Sequence, residues 1–343
     1  MLRIIGLFLL SGLTISCTTV EMDNTPAINA TLQADYHGFD YQGNYVWAGA
    51  MNLAWTEMSE HVIGAPIQVR SNLQQVQNRV NSYNHPVFTR NDISVDSFYI
   101  KSGYGQKTIN LINREVKQKF PQKSLPDLKI NLGDKDIISY AYLLKEVQYK
   151  TPFSVSTLNF NGQTVQAFSA TNTKMRNNIQ ILQYDNDDRF VLELKLKDVK
   201  DKLFLVKGYE NTSAKEIIQL IDNNIGSSEK LNSRDEFKAP KLVLDVSHQH
   251  QDFINLPITN TGFENYVIST MIENIKFNMD EIGAKVENEA YIGFTSSASS
   301  VVNTPKRLIL DKPYWIIMKD SQGQSPYFIL GVKNSKLMQK IGK

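Results

Sequence analysis

Met279-Asp280-Glu281-Ile282-Gly283-Ala284-Lys285-Val286-Glu287-Asn288-Glu289-Ala290 changes character at Gly283. From Ala284 the even positions carry Ala284, Val286, Asn288, Ala290, Ile292 and Phe294, and the odd positions carry Lys285, Glu287, Glu289, Tyr291 and Gly293. Alternation with period two, small or apolar on one side and mostly charged on the other, is the pattern of a half-buried strand. The residues that follow, Thr295-Ser296-Ser297-Ala298-Ser299-Ser300, have no large side chain to bury and read as an exposed loop. A segment able to become a strand therefore leads to a tip that a protease can reach.

Beyond the loop, Leu308 to Met318 and Pro326 to Val332 are near-continuous apolar runs joined by the polar Lys319-Asp320-Ser321-Gln322-Gly323-Gln324, the pattern of two buried strands in a hairpin. Glu281-Ile282-Gly283, Asp311-Lys312-Pro313-Tyr314 and Phe328-Ile329-Leu330-Gly331-Val332, in that order, resemble the C-terminal signature of the serpins. That family ends in an acidic hinge with Glu-x-Gly, a long reactive loop, a strand opening on Asp or Asn, Arg or Lys, Pro and Phe, and a last strand carrying Phe, Gly and Val. Upstream, Asp136 to Lys145 resembles a central serpin strand, Thr151-Pro152-Phe153 fits the Pro-Phe after it, and Pro240 to Val246 resembles the strand the family begins with Pro-Lys/Arg-Phe. The resemblance runs from about Tyr45 to Val332. It implies an α+β fold with a large mixed β-sheet, helices behind it, a smaller β-rich half and an exposed reactive loop at about 284–307.

The 343 residues, 41% hydrophobic and 21% charged, are ordinary for a globular chain with a sizeable core. No Pro/Gly/Ser-rich linker or internal repeat divides them. A net charge of +2 from well-mixed Lys, Arg, Asp and Glu gives no electrostatic case for nucleic acid. Met1-Leu2-Arg3 followed by Ile4 to Leu13 reads as a positive n-region and short apolar h-region of an export signal. It leads into Leu13-Thr14-Ile15-Ser16-Cys17, which resembles the bacterial lipobox; a simple secretory signal cut nearby is the other reading. The resemblance implies 1–16 as signal peptide, Cys17 as lipid anchor, 17–40 as a tether and 41–343 as the folded domain. The expected location is the outer membrane as a lipoprotein, otherwise the periplasm or the exterior. Cys17 is the only cysteine, so no internal disulfide forms.

Periodicity places helices over Tyr45 to Val62, Ser71 to Tyr83 (with Leu73, Val76 and Val80 inward) and Lys107 to Phe120. Strands are expected at Ile93 to Ile100, Arg189 to Leu196 and Lys202 to Val206, the last two as an antiparallel pair. Ser213-Ala214-Lys215-Glu216 is a capping box that opens a further helix.

Among candidate sites, His248-Gln249-His250 has metal-like spacing on a strand but lacks a third ligand and reads as a solvated turn. Asp185-Asn186-Asp187-Asp188 lacks the Gly and closing Glu of a calcium loop and reads as an acidic turn. No nucleophile elbow, phosphate loop or dinucleotide fingerprint appears, so neither an enzyme nor a metal or cofactor is expected. The serpin resemblance makes Glu281, Gly283, Ala284, Val286, Asn288 and Ala290 a hinge that inserts into the main sheet after cleavage, and Ser297 and Ala298 the reactive bond. Loop insertion of this kind is a known form of strand addition. Small residues at Ser297-Ala298 suit elastase-like or subtilisin-like serine proteases, whereas cleavage after Phe294 points to a chymotrypsin-like or cathepsin-like target. The implied protein is a monomer that traps a serine or cysteine protease. A non-inhibitory serpin fold acting as a binding or carrier module is the alternative.

Overall fold

The structure, a computed structural model, describes residues 30–34, 36, 43–209, 211–226, 228–284 and 304–341. The hairpin read from the sequence is its centre. β17 (Tyr314–Asp320) and β18 (Pro326–Val332) pair antiparallel in an eight-stranded mixed sheet. To one side lie β2 (Tyr45–Ala48) and, parallel to it, β1 (Thr31–Leu32). To the other lie β10 (Asp201–Lys207), β9 (Arg189–Leu194), β8 (Ile179–Asn186) and β11 (Glu229–Lys230). Every residue of β18 is buried, as a strand covered on both faces requires. Gly331 is small because Trp315 and Tyr45 close over it: a Cβ there would stand 3.1 and 3.2 Å from their side chains.

A second sheet runs β16 (Arg307–Ile309), β12 (Glu236–Pro240), β7 (Gln163–Ser169), β6 (Ser154–Phe160). The β6–β7 turn is Asn161-Gly162, both with positive φ, which matches the twist of the paired strands. Three strand pairs complete the β-structure: β3 (Phe98–Tyr104) with β4 (Ile137–Leu143), β5 (Val147–Gln148) with β15 (Gly283–Ala284), and β13 (Leu242–Gln249) with β14 (Ile272–Met279).

Helix α1 (Ala50–Met58), prolonged by a π-turn over Ser59–Ile63, lies against β3 and β4; Ser139 donates to the Ala54 carbonyl at 2.6 Å. α2 (Gln74–Asn84) packs beside it, stacking Tyr83 on Trp55. α3 (Gly105–Lys119) puts Ile112 and Val116 against Tyr99, Tyr140 and Tyr142 of the β3–β4 pair. α4 (Thr173–Arg176) is one turn, and α5 (Ala214–Asn224) opens with the expected capping box, Ser213 and Glu216 bonding reciprocally.

Four expectations change. Tyr45 to Ala48 is a strand, because Tyr45, Val46 and Trp47 fill the main core beside β18; the helix starts at Ala50. α2 starts at Gln74, and Leu73, expected inward, is exposed at its N-cap. The strand expected at Ile93 to Ile100 starts only at Phe98, after two short 3-10 turns. The fold also reaches into the segment expected as tether: Thr31 and Leu32 pair with Tyr45 and Val46, and Ala30 and Tyr36 join the main core.

Candidate functional site

The alternating stretch that follows Met279 is described as far as Ala284, and the described residues resume at Thr304. Val286, Asn288, Ala290, Ser297, Ala298 and Cys17 lie outside the described residues. The two feet of this span are built in detail.

At the first foot β14 ends in a tight turn. Asp280 Oδ1 accepts from the Ile282 and Gly283 amides, and the Asp280 amide donates to the Gly283 carbonyl at 3.1 Å. The Glu281 carbonyl accepts from Phe153 N at 2.7 Å and the Ile282 carbonyl from Tyr149 N at 3.0 Å, so the turn is tied to the segment after β5. Gly283 and Ala284 then pair with Gln148 and Val147. Gly283 holds φ +145°, and a Cβ there would lie 2.6 Å from Gln148 Cα and clash with the Val147 carbonyl. Only glycine fits. The Glu281 carboxylate faces Lys241 Nζ at 2.5 Å, an ionic contact rather than an aligned hydrogen bond, with both side chains largely covered. Beneath lie Tyr149, Phe153, Phe168 and Phe237, with Tyr149 and Phe153 centroids 4.9 Å apart. Burial pushes the Tyr149 hydroxyl well above its ordinary range, and Asp280, Tyr314 and Glu281 add to the effect.

At the second foot, β16 enters parallel to β12, and Lys207 sits nearly sealed beneath it. Its Nζ donates to the Ile309 carbonyl at 2.8 Å and Asp311 Oδ1 at 2.6 Å, and contacts Asp188 Oδ1 at 3.0 Å. Lys312 reaches Asp188 at 2.7 Å, and the Arg307 amide donates to Asp187 at 2.9 Å. The acidic turn Asp185 to Asp188 is therefore a clamp on the distal end of the span. Burial opposes ionisation of Asp187, but the Tyr184 hydroxyl, the Arg307 amide and the charges of Arg307 and Lys207 hold its carboxyl below the usual range. Hydrogen bonds from Lys312 and Lys207 do the same for Asp188.

Between the feet the strand edges matter. Among the described residues β4 pairs with β3 and β14 with β13, while β5 and β15 form the one ladder joining these halves. The C-terminal end of β4 is anchored by Lys145, almost buried, to Asp201 at 2.7 Å and Asp320 at 3.3 Å. A strand edge unpaired on one side is a template for an added strand. The arrangement can hold a loop between two fixed feet and offer, next to the first, edges along which the loop can pair.

The acidic turn and the histidine pair take different places. The acidic turn is structural, as described. His248-Gln249-His250 is not a solvated turn: His250 is buried, its Nδ1 2.6 Å from Arg79 Nη2. Its partners come from α2 and β14, too far along the chain for spacing to reveal. Among the described residues no group of three or more His, Cys, Asp or Glu is placed to hold a metal ion.

No protein-family model matches the chain. No curated protein matches it in sequence. Solved structures do match. A thermophilic serpin, tengpin, in its native state is similar over 88% of this chain and 92% of its own, with a TM-score of 0.53 and 14% identity. A highly specific serpin of the insect Tenebrio molitor covers 86% of this chain and 92% of its own, at TM-score 0.48 and 12% identity. The mouse protein-Z dependent protease inhibitor covers 86% and 91%, at TM-score 0.48 and 13% identity. With the sheet order described above, the tengpin match establishes that this chain has the serpin fold.

Proposed function

We propose that the protein is a serpin-type inhibitor that traps a serine or cysteine endopeptidase as an acyl-enzyme. The protease nucleophile attacks the Ser297 carbonyl carbon, the Ser297–Ala298 bond breaks, and the Ala298 nitrogen leaves with a proton supplied by the protease. The freed chain beyond Ala284, continuing the hinge Glu281 to Ala290, then adds as a strand between β4 and β14, carrying the acylated protease with it. The observation that carries this reading is the pairing pattern at the first foot: a two-residue β5–β15 ladder joins two strand pairs, and β4 and β14 each pair with one strand only among the described residues. Adding a strand there satisfies backbone groups on both edges, a favourable change of about 0.5–1.5 kcal/mol per hydrogen bond.

In the same reading Cys17 is the lipid anchor, 17–29 the part of the tether that spaces the domain from the outer membrane, and the bait is matched to elastase-like or subtilisin-like proteases. The test is incubation of the mature protein with elastase, subtilisin and chymotrypsin, read by denaturing gel and thermal melting. A complex stable to denaturant, with cleaved protein melting well above intact, is the expected result. Clean cleavage near Ser297 with neither complex nor raised melting overturns inhibition and leaves the carrier role.

A further inference from the structure

β14 alternates cleanly, with Glu273, Ile275, Phe277 and Met279 buried and Asn274, Lys276 and Asn278 exposed. Glu273 thus occupies a core position, 4% exposed, at the end of β14 remote from the hinge. Its Oε2 lies 3.5 Å from His250 Nε2, beyond an aligned hydrogen bond, and neither atom has another partner. The other groups facing this site are Arg79 and Tyr83 from α2, His248 from β13 and Asp252 from the turn after it, walled by Trp55 and Phe253.

The charges can be assigned from geometry. Arg79 Nη2 stands 2.6 Å from His250 Nδ1, and Arg79 Nη1 stands 2.5 Å from Asp252 Oδ2. A guanidinium only donates, so His250 Nδ1 must accept and carries no proton. His250 is therefore the neutral tautomer with its proton on Nε2. Asp252 balances Arg79. His248 is biased toward neutral by burial, and the Arg79 charge acts in the same sense. No cation is left to balance an ionised Glu273, and an unpaired buried carboxylate is strongly disfavoured.

We propose that Glu273 holds a proton in the folded protein, and that losing it as pH rises loosens β14, the strand that runs directly into the Asp280–Ala284 turn. Burial pushes the Glu273 carboxyl above its ordinary range, and the His250 and Arg79 contacts lower it only in part. A carboxyl with a raised folded pKa binds a proton the unfolded chain has already released. Its contribution is present on the acid side and is lost as pH rises through the folded value. His248, lowered in the fold, acts with the opposite sign: its cost appears as pH falls through its ordinary value. This device needs only the fold, so it stands or falls independently of protease trapping.

Thermal melting of the intact protein between about pH 5 and pH 8, for the parent and for Glu273→Gln, tests it without any protease. Glutamine copies the protonated carboxyl without the charge, and the His248 contribution cancels in the difference. The variant is expected to melt above the parent by roughly 2 °C or more at the alkaline end, the two curves converging toward acid. A Glu273→Gln protein with the parent's pH dependence, or a lower melting point throughout, overturns the proposal. Asp252→Asn supplies a second reading should the first variant not fold. It frees Arg79 to balance Glu273, so the loss of stability with rising pH should shrink, and an unchanged loss overturns the assignment.

Discussion

At Gly283 the chain turns through φ +145° with the Val147 carbonyl and Gln148 Cα against it. Two penalties follow for any other residue: a backbone conformation that costs about 1–3 kcal/mol, and a Cβ with nowhere to go. Gly283→Ala is therefore expected to lower stability by about 2–4 kcal/mol, read as a shift in the denaturant midpoint at unchanged slope, and to break the β5–β15 ladder first. A variant as stable as the parent would show that this ladder is not formed in solution. In the sequence Gly283 stood out only through the Glu-x-Gly resemblance: Asp280 bonds the Ile282 and Gly283 amides within the turn, but the backbone that excludes a Cβ comes from Val147 and Gln148, far along the chain. Glu281 was legible only in part. Its acidity stood out, but Lys241 opposite lies between β12 and β13, and only the fold brings the two to 2.5 Å.

Among the elements, those whose burial follows their own period were readable. β9 and β10 pair as expected, α5 opens on its capping box, and the β17–β18 hairpin sits at the sheet centre. Tyr45 to Ala48 was misread because its apolar residues also fit a helical face; the open edge of β18 claims it as a strand. The clamp under β16 was invisible because Lys207 and Asp311 are 104 residues apart. That clamp makes a pH prediction. Asp187 and Asp188 have carboxyls held below the usual range, so their contribution is present above the ordinary carboxylate value and is lost as pH falls through the lowered one. Lys207→Met removes the shared donor and leaves the Ile309 carbonyl and Asp311 without it. The expected result is a loss of about 1–3 kcal/mol near neutrality and a weaker dependence of melting temperature on acid. A variant that matches the parent at neutral pH would mean that the Lys207 contacts contribute nothing net.

For the molecule as a whole, one term favours strand addition and one opposes it. Pairing of the segment between Ala284 and Ala290 with both neighbouring edges adds on the order of six hydrogen bonds at about 1 kcal/mol each. Lys285, Glu287 and Glu289 fall on the outward side of the alternation and oppose little. Asn288 falls inward, and its amide without partners costs about 1–3 kcal/mol. On the proposed trapping mechanism the sum still favours insertion, so Asn288 would act on the rate, and the rate would decide the outcome because insertion competes with hydrolysis of the acyl-enzyme. Asn288→Ala should raise the ratio of denaturant-stable complex to cleaved product several-fold, since each 1.4 kcal/mol off the insertion barrier is a factor of about ten. The melting temperature of the intact protein should hardly change. The measurement is densitometry of the two products at equal protease over a range of inhibitor ratios. If the ratio stays fixed while both forms are made, Asn288 does not face the core during insertion, and the alternation that begins at Ala284 is set in the opposite register.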